Sequence, residues 1–125
     1  DGKRAYVACE LADTVYAIDV ASRRVVAKIP AGVRVNGVTM HPSGRAVYVS
    51  NGGDGTVMAI SVPEDKVTAT IPVGKRPWNM AITPDGAKLY VANGRSNSVS
   101  VIDTARASVL REIPVGELPW GVLVR

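Results

Sequence analysis

Apolar and polar residues alternate in short runs of about five positions along the whole chain, and turn-forming residues separate the runs. The pattern is clearest from Trp78 onward. Trp78 to Thr83 reads as one strand, Pro84-Asp85-Gly86 as a tight turn, and Lys88 to Ala92 as a second strand. Asn93 to Asn97 then reads as a polar loop, Ser98 to Asp103 as a third strand, and Ser108 to Ile113 as a fourth that Pro114 ends. Nowhere between turns do apolar residues recur at helical spacing over ten or more positions. Ala21 to Ala27, the nearest approach, is too short and too β-branched for a helix.

The same pattern returns every 42 residues. Gly2, Gly44 and Gly86 stand in register, as do Tyr6, Tyr48 and Tyr90, then Val15, Val57 and Val99, and Ile18, Ile60 and Ile102. Later in each copy Val25, Val67 and Val109 align, then Ile29-Pro30, Ile71-Pro72 and Ile113-Pro114, then Gly32, Gly74 and Gly116. A fixed period of this size in an all-β pattern predicts four-stranded antiparallel blades of a β-propeller, with repeats at 1–43, 44–85 and 86–125 of one partial domain, 1–125. Matched small residues, Ala8, Ser50 and Ala92, suit closely stacked sheets.

Propellers close with about four to eight blades. Three repeats therefore predict an open arc or part of a six- to eight-bladed ring. The first copy enters at a second strand, and Trp120 to Arg125 reads as the first strand of another blade. Two completions are expected: further blades before Asp1, or a second copy that exchanges the Trp120 to Arg125 strand and closes a six-bladed ring.

Composition narrows the partners more than the fold. Hydrophobic residues make up 46% of the chain and Phe is absent, so Val, Ile and Ala carry the strands. The net charge is +4, but Lys and Arg are scattered singly or in pairs, so no nucleic-acid partner is expected. No apolar run approaches the roughly 20 residues that span a bilayer. The single cysteine, Cys9, excludes an internal disulfide and a cysteine metal cluster.

The runs Tyr6-Val7-Ala8-Cys9, Tyr48-Val49-Ser50-Asn51 and Tyr90-Val91-Ala92-Asn93 resemble the signature of the YVTN family of β-propeller repeats. Pro84-Asp85-Gly86, Val99 to Asp103, and the Ile-Pro-Val-Gly-x-x-Pro-Trp runs at Ile71 to Trp78 and Ile113 to Trp120 extend the resemblance over the whole chain. The resemblance implies a scaffold on which binding proteins, lactonase-like enzymes and haem-d1 or quinone-associated proteins are built, and a periplasmic or extracellular setting. The first copy departs from it at Cys9, in place of Asn, and at Val35-Asn36, in place of Pro-Trp.

Ligand sites in propellers form where the loop before the first strand meets the loop between the second and third. Those loops, with the strand residues that follow, nominate Arg34, Asn36, Asn51, Lys75, Arg76, Trp78, Asn93, Arg95 and Trp120 as ligand contacts. A basic rim with two indoles suits an anionic or sugar-like ligand, whereas the same Trp residues also suit packing between blades. His41, the only histidine, is a weak candidate for a metal or haem ligand, and a lone histidine before Pro42 reads more simply as an exposed turn residue. No catalytic set and no cofactor site is predicted. The expected function is a non-catalytic binding or protein-interaction scaffold; the alternative is part of a propeller enzyme or cofactor-handling protein.

Overall fold

The computed structural model describes residues 1–125 and contains three antiparallel sheets in succession. Sheet I has three strands, β1 (Arg4–Cys9), β2 (Thr14–Asp19) and β3 (Arg24–Pro30). Sheet II has four, β4 (Val35–Met40), β5 (Ala46–Asn51), β6 (Thr56–Ser61) and β7 (Lys66–Pro72). Sheet III repeats that meander with β8 (Pro77–Ile82), β9 (Lys88–Asn93), β10 (Ser98–Asp103) and β11 (Ser108–Pro114). The all-β reading as propeller blades holds. No helix is long and apolar enough to cross a membrane.

Two strand ends add detail to the expected pattern. Pro114 is the last residue of β11, still paired with Ser98, as Pro30 and Pro72 are the last residues of β3 and β7. All three are edge strands, where a proline can turn its missing N–H away from the ladder. Trp120 to Arg125 forms no strand in this chain. No neighbour pairs with it across a ladder, and its one backbone tie is a long hydrogen bond of 3.4 Å from Asn79 N–H to the Trp120 carbonyl.

The irregularities of the backbone keep the spacing seen in the sequence. A register shift falls between Ala17 and Ile18, Ala59 and Ile60, and Val101 and Ile102. Such bulges bend the strand and increase its twist. Left-handed residues recur at Arg23, Asp65 and Ala107, and again at Arg34, Arg76 and Leu118. None is β-branched, which fits the steric cost of positive φ. The visible departure is a single 3-10 turn, Glu10–Ala12, which ends on left-handed Asp13 in place of the plain turn found between β5 and β6 and between β9 and β10.

Alternation along each strand covers both faces of sheet II. Val15 and Ile29 of sheet I pack with Val35, Val47, Val49, Met58 and Ile60 in one seam. In the other, Tyr48, Val57, Ala59 and Ile71 of sheet II meet Met80, Leu89, Val91 and Ile102. Each such aliphatic side chain contributes about 1.5–3 kcal/mol through burial, so the seams hold the sheets together. The inner strands also touch through the backbone. Ser50 Oγ accepts from Gly37 N–H at 2.8 Å and donates to the Trp78 carbonyl at 2.6 Å. A Cβ at Gly37 would collide with that carbonyl, so the close approach of β4 to β8 requires glycine there.

Candidate functional site

The loops before the inner strands and the loops between the second and third strands of each sheet meet at one end of the seams. Backbone hydrogen bonds tie them together: Gly52 and Gly53 N–H donate to the Arg34 and Val33 carbonyls at 2.9 Å each. In the next sheet Gly94 and Arg95 N–H donate to the Arg76 and Lys75 carbonyls at 3.0 Å each. Side chains cap three further amides at this end. Asp13 Oδ1 accepts from Arg34 N–H at 2.7 Å, Asp54 Oδ2 from Val33 N–H at 2.7 Å, and Ser96 Oγ from Lys75 N–H at 2.6 Å.

This framework brings four of the nominated cations together. Arg34, Lys75, Arg76 and Arg95 line a cleft of about 720 Å³, floored by Gly52, Gly53, Asp54, Gly55 and Thr56 on one side and Pro72, Val73 and Gly74 on the other. Arg34 and Arg76 come from different loops, yet one carboxylate spans them: Glu10 Oε1 lies 3.3 Å from the first and 3.6 Å from the second. Opposite charge held this way restrains guanidinium groups that would otherwise repel one another.

A second hollow of about 340 Å³ adjoins the first and shares Arg76 and Arg95 with it. Trp78, Gly94, Leu118 and Trp120 complete its wall. The two indoles meet edge to face with centroids 3.8 Å apart, and the Arg76 guanidinium lies 5.6 Å from the centre of the Trp78 ring. Trp78 is half-buried, while Trp120 remains 66% exposed.

The nominated asparagines are placed differently. Asn51 and Asn93 are fully buried and line neither cleft. Asn51 Oδ1 accepts from Gly32 N–H at 3.2 Å while its Nδ2 donates to Thr56 Oγ1 at 2.9 Å. Asn93 Nδ2 donates to Ser100 Oγ at 2.8 Å and Ser98 Oγ at 3.2 Å, and its Cγ abuts Gly74. Both amides therefore fasten a second strand to the third; Asn51 also holds the loop before β4, whereas the buried Oδ1 of Asn93 has no partner. Asn36 is an exposed residue of β4, outside both clefts.

His41 lies in the turn between β4 and β5, at the opposite end of the sheet from the cations. The expectation of an exposed turn residue fails there, because the half-buried ring packs against Gly86 of sheet III and bonds Ser43 Oγ at 2.8 Å. No group of three His, Cys, Asp or Glu side chains gathers anywhere in the chain. The perturbed titrations also lie away from the cleft. Burial, then the hydrogen bond to Asp65, pushes Tyr6 up to about 12; burial raises Tyr48; and hydrogen bonds from Ser22 and Thr83 lower Asp19 and Asp85.

Glu10 and Gly55 are parts of this end that the loop reading passed over. Glu10 occupies the position of Gly52 and Gly94 in the later copies, so the exchange of glycine for a carboxylate was a visible signal.

Four-stranded antiparallel meanders stacked face to face, with β4 and β8 in close contact, are blades of a β-propeller. The chain belongs to the lactonase, 7-bladed β-propeller family, whose model matches residues 1–113. Kuenenia stuttgartiensis hydrazine synthase is similar in structure, with a TM-score of 0.91 and 26% identity over 95% of this chain and 34% of that one. A candidate 6-phosphogluconolactonase from Bacteroides fragilis matches with a TM-score of 0.83 and 26% identity, over 97% of this chain and 38% of that one. Dihydro-heme d1 dehydrogenase NirN shares the fold at a TM-score of 0.81 and 24% identity, over 90% of this chain and 24% of that one. The chain thus spans well under half the length of each. A comparison with curated proteins finds no match.

Proposed function

We propose that this chain forms three YVTN-type blades of a seven-bladed propeller enzyme, and that its basic cleft holds the anionic part of a sugar lactone. The observation that carries this reading is the convergence of Arg34, Lys75, Arg76 and Arg95 on one cleft in a chain of the lactonase family. The likeness to a candidate 6-phosphogluconolactonase supports a phosphorylated lactone as the ligand class. These findings favour the enzymatic alternative over the non-catalytic scaffold expected from the sequence.

The chemistry fits cationic groups. Hydrolysis adds water to the ring ester, breaks the bond between carbonyl carbon and ring oxygen, and leaves a carboxylate and a hydroxyl. Negative charge develops on the carbonyl oxygen on the way, and preorganised guanidinium groups stabilise such charge more than water does. Further blades would enclose the exposed faces of sheets I and III, where Val7, Val25 and Leu110 are exposed.

Calorimetric titration with 6-phosphogluconate, alongside hydrolysis of its lactone, tests the proposal. Binding that weakens with salt, and falls roughly tenfold in Arg95→Ala, is expected for an anion held by charged hydrogen bonds. Binding insensitive to salt and to Arg95→Ala would remove the basic cleft from the account. Binding without accelerated lactone opening would return the chain to the scaffold reading.

A further inference from the structure

The three copies treat one backbone amide differently. At the first residue pair of the seams, Asp13 Oδ1 caps Arg34 N–H at 2.7 Å; at the third, Asn97 Oδ1 caps Leu118 N–H at 3.0 Å. Residue 55 is the equivalent of 13 and 97, and residue 76 the equivalent of 34 and 118. Position 55 is glycine, so it offers no oxygen, and Arg76 N–H makes no hydrogen bond within the protein. The backbone is the same in all three places: Asp13, Gly55 and Asn97 have φ of 48°, 68° and 53°, and Arg34, Arg76 and Leu118 have φ of 56°, 57° and 50°.

The uncapped amide opens onto the larger cleft, because Gly55 and Arg76 both line it. Around it stand the side chains of Arg34, Lys75, Arg76 and Arg95. The only carboxylate lining the cleft, Asp54, has one oxygen committed to Val33 N–H at 2.7 Å. Glycine itself is not demanded by the space. A Cβ at Gly55 would come to 3.2 Å from the Gly74 carbonyl, a contact that asks a small adjustment, and positions 13 and 97 carry Asp and Asn in the same left-handed conformation.

We infer that Gly55 leaves an oxyanion subsite, in which a phosphate or carboxylate oxygen of the ligand takes the place of the missing side-chain oxygen and accepts from Arg76 N–H. The ligand oxygen completes a cap that the protein supplies for itself in the neighbouring seams. A backbone amide fixed by its flanking hydrogen bonds, with cations around it, is a strong acceptor site for an anion because little reorganises when the ligand arrives. The Glu10 carboxylate lies 3.3 Å from Arg34 and 3.6 Å from Arg76 and restrains both guanidinium groups beside it.

This inference rests on the proposal of an anionic ligand in the cleft and assigns its anchoring point. The test is titration of the 15N-labelled chain with inorganic phosphate and, separately, acetate, following amide shifts in the wild type and in Gly55→Asn. The Arg76 amide is expected to move with saturation in the wild type, with phosphate or acetate the tighter probe according to the group the site takes. In Gly55→Asn the new side-chain oxygen occupies the amide, so affinity is expected to fall about tenfold or more, the scale of a hydrogen bond to a charged group. Stability should not fall, because asparagine tolerates this conformation and constrains the unfolded chain.

Phosphate binding that leaves the Arg76 amide unmoved, or that survives Gly55→Asn unchanged, overturns the subsite while the basic cleft stands as a ligand site. Movement of the Arg76 amide in a chain that neither binds nor opens the phosphorylated lactone keeps the subsite and defeats the proposed function. Should Gly55→Asn unfold, the wild-type titration alone decides, since the location of the shifted amide is its readout.

Discussion

The seam between sheets I and II and the seam between sheets II and III have nearly the same core and opposite mouths. Ile29 and Ile71 occupy equivalent places in the two apolar clusters, each 2% exposed, and both are bordered by valines of the adjoining sheets. At the mouth the first seam is closed by its own side chains: Asp13 caps the Arg34 amide and Glu10 grips the Arg34 guanidinium. The second seam lacks the cap at Gly55 and opens into the cleft. Repetition fixes the packing, while single exchanges in the loops decide which seam is capped and which is left open.

The largest effect that can break this comparison concerns the cores. Ile29→Ala and Ile71→Ala should each cost about 2–5 kcal/mol in urea denaturation, from lost burial and the cavity left behind. Similar costs are expected for the two variants; a difference of more than about half would show that the seams are not equivalent in packing.

Ser50→Ala should come next. Ser50 bridges Gly37 N–H and the Trp78 carbonyl across the second seam, whereas its equivalents Ala8 and Ala92 cannot make this bridge. Losing it leaves buried backbone groups unpaired, at a cost of about 1–3 kcal/mol measurable in the same denaturation. A neutral effect would mean that the inner strands are held by the apolar seam alone.

The first seam carries a pH signature of its own. Tyr6 donates to Asp65 across it at 2.9 Å, and burial with this contact raises the phenol from 10.0 to about 12. The folded state thus keeps a proton that the unfolded chain loses from about pH 10 upward. Its contribution is complete below pH 10 and is lost as pH rises toward about 12. Denaturation across that window should show falling stability, and Tyr6→Phe should flatten the slope, leaving the part due to Tyr48, which burial also raises. An unchanged slope in Tyr6→Phe would dissociate this titration from the seam.

The smallest effect belongs to Glu10→Gln. Its ion pairs with Arg34 and Arg76 are partly exposed, so thermal unfolding should show a loss of less than about 1 kcal/mol. A larger loss would make Glu10 a structural clasp between sheets rather than a restraint on the cations.

The fold was legible because its signals are local: turn residues, alternation and the 42-residue register all act within a few positions of the elements they specify. The candidate site was only half legible. Arg34, Lys75, Arg76 and Arg95 could be assigned to one end because propeller loops alternate ends along the meander. Asn51 and Asn93 border the same loops, yet their buried amides bond to hydroxyls and, for Asn51, to a loop amide, a distinction that depends on side-chain direction and not on position. The open amide at Arg76 was hidden for another reason. It arises at a pair of positions 21 apart, 55 and 76, and it is recognisable only beside the capped pairs 13 with 34 and 97 with 118.

The direct test of a seam opened by one missing side chain is to open the other. Phosphate should move the Arg76 amide and leave the Arg34 amide unmoved in the wild type, and in Asp13→Gly it should move both. If the two amides respond alike in the wild type, or if Arg34 stays unmoved in folded Asp13→Gly, the missing cap does not create the anion site.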